Sequence, residues 1–230
     1  RVFFEHLANR RFPAGRFIRT PDQEDYLEEP DVFHDVFGHV PLLANPVFAD
    51  YMQAYGQGGL RADGLGAIEK LARLYWYTVE FGLIDTPQGL RLYGAGIVSS
   101  NAESHFALED PSPNRIGFDL RRLMRTRYRI DDYQQSYFVI DSFEDLLEQT
   151  LRTDFAPIYS ELADATDIAP NNDVWVATAE AAGAYKDVVL SLAPGASPPA
   201  VVAALERLLA PYGGLGAHDR ERGATRAIGG

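Results

Sequence analysis

The sequence predicts a mainly α-helical fold with short β strands. Three observations carry that expectation. Short periodic segments cut off by Gly, Pro, Asn and Ser dominate the chain. The longest patterned run, AIEKLARLYWYTVEFGLI, has Ile68, Leu71, Tyr75 and Thr78–Val79 at the three- and four-residue spacing of one helix face. Alternation of apolar and polar residues occurs only over a few residues at a time.

Taken in order, NPVFADYMQAYGQGG predicts a helix with Asn45 as N-cap, Pro46 in its first turn and Gly58–Gly59 ending it. AIEKLARLYWYTVEFGLI follows, with an aromatic last turn. GLRLYGAGIVSS mixes alternating apolar residues with glycines and predicts a short hairpin. SSNAESHFAL predicts a helix capped by Ser99 or Ser100. QSYFVIDSF predicts a strand, and SFEDLLEQTLRTDFAPIYSELAD one helix, with Ser142 and Asp145 placed as a variant capping box. The character changes at the turn cluster of residues 169–173. Beyond it AYKDVVLSL alternates like a strand and SPPAVVAALERLLAPYGG reads as a Pro-initiated helix, before a polar, Gly-rich end that is expected to fray. There is no internal repeat.

Composition narrows the function classes. The 230 residues are 46% hydrophobic, enough to bury a sizeable core, and one domain with an appendage is expected. The formal net charge is −12 with no basic block, which argues against nucleic acid as a partner. With no cysteine, disulfides and thiolate metal sites are excluded, so any metal must use nitrogen and oxygen ligands. No run of about 18 apolar residues would span a membrane. The opening RVFFEHLANRRF has neither Met nor a signal-peptide pattern and reads as the interior of a longer protein.

The stretch PDVFHDVFGHVP places His34 and His39 five apart. On a straight α-helix that separates their side chains by roughly 140°, so they would not share a face. Gly38 and Pro41 are expected to break the helix and let His39, at the unwinding end, converge with His34. The pair alone would pass for two structural histidines. Glu80 shifts the balance. It lies among Trp76, Tyr77, Val79, Phe81 and Leu83, with no Lys or Arg between Leu74 and Leu90. A carboxylate buried there needs a partner, or it costs several kcal/mol. A divalent metal on the two histidines would supply one. Two His and one carboxylate is the ligand set of non-haem Fe(II) oxygenases, with zinc chemically open as well.

PDVFHDVFGHVPLL, LYWYTVEFGL and YGAGIVSS together resemble the signature blocks of the pterin-dependent aromatic amino acid hydroxylases, most of all the bacterial type. The resemblance runs from Arg1 to about Ile168, with the 46-residue step from His34 to Glu80 intact. It implies the catalytic domain of that family over 1–168 and an appended strand-helix tail over 169–230. It implies iron(II) on His34, His39 and Glu80, a tetrahydrobiopterin or related tetrahydropterin cofactor, and hydroxylation of L-phenylalanine to L-tyrosine with dioxygen. Arg19, in FIRT, matches the arginine that grips the substrate carboxylate, and Asp31 the acid that orients it. Pro30, Trp76 and Phe81 match the apolar cage around the substrate ring, and Gly96 a close approach of backbone to substrate. Ser99 matches a hydroxyl bonded to a ligand histidine, which fixes its tautomer. Phe3 matches the aromatic that stacks on the pterin, Asp35 an acid near it, Tyr75 a tyrosine close to the iron, and Glu103 a polar residue near the site; the resemblance assigns all four to cofactor binding. A monomeric cytoplasmic enzyme is implied.

The chain also departs from the family. The segment that would precede Arg1, whose backbone helps hold the pterin, is not in this sequence, so pterin binding and turnover are expected to be weak. Leu27 stands where animal members carry a hydroxyl. The stretch KDVVLSLAPGASPPAVVAALERLLAPYGGLGA resembles instead an extracytoplasmic segment of ABC-type permeases, which implies a gene fusion. Two alternatives remain at this point: a non-catalytic remnant that still binds metal, and a zinc hydrolase using the same triad.

Overall fold

The structure is a computed structural model that describes residues 1–21, 30–170, 174–181 and 184–191. Leu27, the predicted helix in residues 197–214 and the polar end lie outside the described residues. Within them the chain is mainly helical around a small mixed sheet.

Two helices frame one side of the core. Helix α1 (Val2–Ala8) lies across α3 (Pro46–Gly64), which opens as the sequence predicts: Asn45 accepts hydrogen bonds from the Val47 and Phe48 amides, with Pro46 just inside. The helix does not end at Gly58–Gly59 but runs to Gly64. A Cβ on Gly56 would run into the backbone of Ala8, and one on Gly59 into the Phe4 ring. These glycines therefore serve close helix packing rather than termination. Between them the short helix α2 (Val40–Leu43) leads into α3.

The patterned run at 67–84 forms α4 (Ile68–Tyr75) and then loosens into a π-helical turn, Trp76–Glu80. A hairpin follows, β1 (Leu83–Thr86) with β2 (Gly89–Leu92), so only the first part of GLRLYGAGIVSS is strand. Its remainder is the helical turn α5 (Ala95–Val98), and α6 (Asn101–Glu109) is capped by Ser100. Strand β3 (Asn114–Gly117), helix α7 (Leu120–Arg125) and strand β4 (Ser136–Ile140) come next.

The sheet order is β2-β1-β4-β3, with β1 and β3 parallel to β4. Every residue of β4 is buried, as an unbroken apolar strand covered on both faces should be. Phe138 and Ile140 join the main core with Phe48, Tyr77 and Leu74, while Tyr137 and Val139 join a smaller cluster with Leu83 and Ile97 on the other face.

The stretch 142–164 is two helices, α8 (Phe143–Leu151) and α9 (Phe155–Ala163). Ser142 caps the first by accepting from the Asp145 amide, and Asp154 starts the second by accepting from the Ala156 amide. The sequence predicts one helix here, but Asp154 acts as a second N-cap and divides it in two. Asp167 and Ile168 follow in a short tethered stretch. Asp167 binds both the buried Arg73 and Lys70, and the Ile168 backbone pairs with Arg125 and Arg127. Beyond it, β5 (Val174–Ala181) and β6 (Ala184–Ser191) form an antiparallel hairpin. The strand predicted at 184–192 is β6; its partner β5 had no clear signal.

Candidate metal centre

His34 and His39 do not meet across a broken helix. Residues His34–His39 form a π-helical turn that passes directly into α2, so Gly38 and Pro41 lie within continuous helix. An i→i+5 hydrogen-bond pattern stacks residues five apart, which brings the two imidazoles to one face. Gly38 has a different task from the predicted one. A Cβ there would stand 2.8 Å from the Ala95 Cβ, so glycine lets this turn lie flat on α5. Glu80 reaches the same point from the second π-helical turn, where the Phe81 amide bonds back to the Trp76 carbonyl.

The three side chains converge. His34 Nε2 is 3.0 Å from His39 Nε2. The Glu80 oxygens lie 3.4 Å from His34 Nε2 and 3.2 Å from His39 Nε2. Among the described residues this is the group of potential ligands whose donor atoms lie within 4.8 Å of one another. Burial alone would push the Glu80 carboxyl up, but bonds from His34 and His39 outweigh it and hold it down at about 2. Two neutral imidazoles and a carboxylate cannot all be paired at these distances, because protons on both Nε2 atoms would oppose each other. A cation at the shared point receives all three lone pairs at once, so the donor set fits a divalent metal.

The surroundings orient these groups. Ser99 Oγ lies 2.8 Å from His34 Nδ1. The Phe12 ring packs on His39 at 4.5 Å, and His39 Nδ1 is buried without a partner among the described residues. Asp31 is fully buried and accepts from the His34 amide, capping the turn that carries the histidine. Burial works against the Asp31 charge, yet Arg19 and two backbone amides hold its carboxyl well below the usual range.

Arg19 is fixed from three sides. Nε donates to Asp31 Oδ2 at 3.0 Å, Nη2 to Asp31 Oδ1 at 2.9 Å, and Nη1 to the Ser99 carbonyl at 2.8 Å. The guanidinium also lies over the Phe33 ring at 4.9 Å. A guanidinium has five N–H donors. Among the described residues two are left over, one on each Nη, enough for the two-point contact that a carboxylate makes.

A cavity of about 370 Å³ opens above the triad. Of the residues singled out in the sequence, it is lined by Phe3, Arg19, Pro30, His34, Tyr75, Trp76, Glu80, Phe81, Gly96, Ser99 and Glu103. His39 lies behind this wall, and Asp35 is also outside the lining, its carboxylate accepting the Gly15 amide. Gly96 faces protein: a Cβ there would stand 2.8 Å from the Phe81 ring. Phe3 meets Tyr75 edge-on at 5.5 Å. Burial and the nearby Glu80 carboxylate push the Tyr75 phenol well above its ordinary value.

Sequence reasoning missed Tyr128 and Gln134. Trp76 is sandwiched between Phe81 at 4.8 Å and Tyr128 at 4.2 Å, nearly parallel to the latter. Its Nε1 donates to Gln134 Oε1 at 3.0 Å. Both residues come from the irregular stretch before β4, which has no periodicity to mark it.

A family model described as biopterin-dependent aromatic amino acid hydroxylase matches residues 1–168. The chain is 74% identical over 167 residues to a phenylalanine-4-hydroxylase of Caulobacter vibrioides, covering 73% of this chain and 56% of that protein. It is 73% identical over 161 residues to the phenylalanine-4-hydroxylase of Ralstonia nicotianae, covering 70% and 51%. A crystal structure of phenylalanine hydroxylase from Chromobacterium violaceum bound to cobalt superposes with a TM-score of 0.72 at 60% identity, covering 82% of this chain and 64% of that one. The chain thus spans about half the length of the curated relatives it matches.

Proposed function

The chain belongs to the biopterin-dependent aromatic amino acid hydroxylases, and on that premise we propose that it hydroxylates L-phenylalanine to L-tyrosine, using dioxygen, iron(II) and a tetrahydropterin. The observation that carries the proposal is the convergence of His34, His39 and Glu80 beside a cavity that His34 and Glu80 line together with Arg19 and the stacked rings of Trp76, Phe81 and Tyr128. The phenylalanine-4-hydroxylases it resembles, and the cobalt bound to one of them, support the same reading.

His34, His39 and Glu80 would hold the iron. When bound, the iron and the pterin supply the redox chemistry that dioxygen requires. The protein's own residues do the rest. Asp31 and the Ser99 carbonyl aim Arg19, whose free fork takes the substrate carboxylate. Trp76 and Phe81, stacked on each other, and Pro30 form the apolar wall against which the aromatic ring rests and which keeps water from it. Ser99 fixes the His34 tautomer through Nδ1, leaving Nε2 for the metal. Phe3 and Tyr75 offer the pterin a wall, with Asp35 behind it bracing the backbone at Gly15.

The proposal further divides the chain into a hydroxylase unit over 1–168 and a tail over 169–230 of separate, permease-like origin. The ties of Asp167 and Ile168 to the helical core support a boundary there. A monomeric, cytoplasmic working form belongs to the same reading, as the resemblance to the bacterial type implies. The test is direct. The purified chain, given ferrous iron, tetrahydropterin, oxygen and phenylalanine, forms tyrosine, and the iron is not replaceable by zinc. Activity with zinc, or none with iron, would refute it.

A further inference from the structure

We infer that Glu103 accepts the α-ammonium group of the amino-acid substrate and so completes, with Arg19, a clamp for the zwitterion. The inference rests on the reading of the cavity as an amino-acid site. An amino acid brings two opposite charges on one carbon, and the fork of Arg19 answers only the carboxylate. The ammonium brings three donors and no acceptor, so it needs an oxygen within reach of that fork.

Two carboxylates line the cavity among the described residues, Glu80 and Glu103. Both oxygens of Glu80 are committed to the histidine pair. Glu103 is 4% exposed. Its Oε1 accepts from the Gln134 amide at 3.0 Å and from the Tyr137 hydroxyl at 2.8 Å. These two bonds fix the carboxylate's orientation. Its Oε2 has no partner among the described residues, yet it is not one of the buried, sealed-off polar atoms. Glu103 lines the cavity, and of its two oxygens this one remains for a ligand.

The chain brings Glu103 and Arg19 to the wall of the same cavity. The Ser99 carbonyl braces Arg19 Nη1, and the next residue, Ser100, caps α6 by accepting from the Glu103 amide. Glu103 therefore stands in the first turn of the helix that starts where Arg19 is anchored. One short segment positions both halves of the clamp. Burial also pushes the Glu103 carboxyl up, only partly offset by its two donors. A buried carboxylate with an open oxygen is a costly thing to keep unless a cation comes to it.

A purely structural Glu103 would instead hold Gln134, and through it Trp76, in place. The two roles separate with a pair of ligands that share ring and carboxylate but differ in the ammonium. L-phenylalanine and 3-phenylpropanoate are titrated into the iron-loaded full chain, wild type and Glu103→Gln, by calorimetry. The amide keeps an oxygen for Gln134 and Tyr137 but loses the charge. The expected result is a loss of about ten- to hundredfold for L-phenylalanine, the range of one charge-assisted bond, with 3-phenylpropanoate within twofold of wild type. Glu103→Asp, which retains the charge, should recover part of the discrimination. Equal weakening of both ligands would assign Glu103 to structure and overturn the inference, as would unchanged affinity for L-phenylalanine. Wild-type chain that binds neither ligand would refute the amino-acid site itself, and the inference with it.

Discussion

Replacing Arg19 by lysine should weaken phenylalanine binding far more than it slows turnover. The structure sets the size of the effect. Three of the five guanidinium donors are taken by Asp31 and the Ser99 carbonyl, and two remain among the described residues. Lysine keeps the charge beside the buried Asp31, so the fold should survive, whereas alanine would strand that carboxylate. An ammonium facing Asp31 cannot also present two parallel bonds. The substrate carboxylate loses about one charge-assisted bond, roughly 1.5–3 kcal/mol. At 1.4 kcal/mol per decade, KM for phenylalanine should rise about ten- to hundredfold. The lost contact is remote from the reacting ring carbon and is made equally in ground and transition states, so kcat should change by less than a few fold. The assay is steady-state tyrosine formation against phenylalanine at saturating pterin, with iron content matched and a thermal melt as fold control. An unchanged KM in a well-folded variant would remove Arg19 from the substrate site. A fall in kcat alone would show that its contact is made only in the transition state.

Other perturbations reach the rest of the account. Iron or cobalt at a hundred times its Kd should stabilise the chain by about 2.7 kcal/mol, and Glu80→Gln or His39→Ala should abolish that gain in a thermal melt. Gly56→Ala, whose Cβ would meet the Ala8 backbone, should cost about 1–3 kcal/mol in urea unfolding by prying α1 from α3. Asp167→Asn should cost about 2–3 kcal/mol, because Arg73 is buried and would lose its bidentate partner. The Asp167 bond to Arg73 holds that carboxyl well below the unfolded value near 4. Its stabilisation is therefore complete above about pH 4 and is lost as pH falls further, and Asp167→Asn should show a smaller drop in stability over that acid range. Ending the chain after residue 170 should leave the thermal melt of the remaining residues unchanged within a few degrees.

Local signals in the sequence fared unevenly. Asn45, Ser100 and Ser142 cap helices as their chemistry predicts, since a cap depends on residues within one turn. Gly38 and Gly58–Gly59 misled, because a glycine that ends a helix and one that admits a neighbour look alike in one dimension. The facts that distinguish them, Ala95 against Gly38 and Phe4 against Gly59, lie 57 and 55 positions away. The candidate metal ligands His34, His39 and Glu80 are visible through their types and the resemblance of their blocks. The means of their convergence, two π-helical turns, is not, since that geometry has no compositional mark. Tyr128 and Gln134 were hidden for a similar reason: what places them against Trp76 is the parallel pairing of β4 with β1 and β3, a long-range contact.

The central claim is that His34, His39 and Glu80 form one iron centre that serves a phenylalanine pocket. It is tested most directly by measuring iron content and phenylalanine-dependent tyrosine formation on the same samples of wild type, His34→Ala, His39→Ala and Glu80→Ala. The account predicts that wild type takes up a single iron per chain and forms tyrosine in proportion to it, while each variant loses both together. Stoichiometric iron in any variant, or tyrosine formation that persists after the iron is stripped, would contradict it.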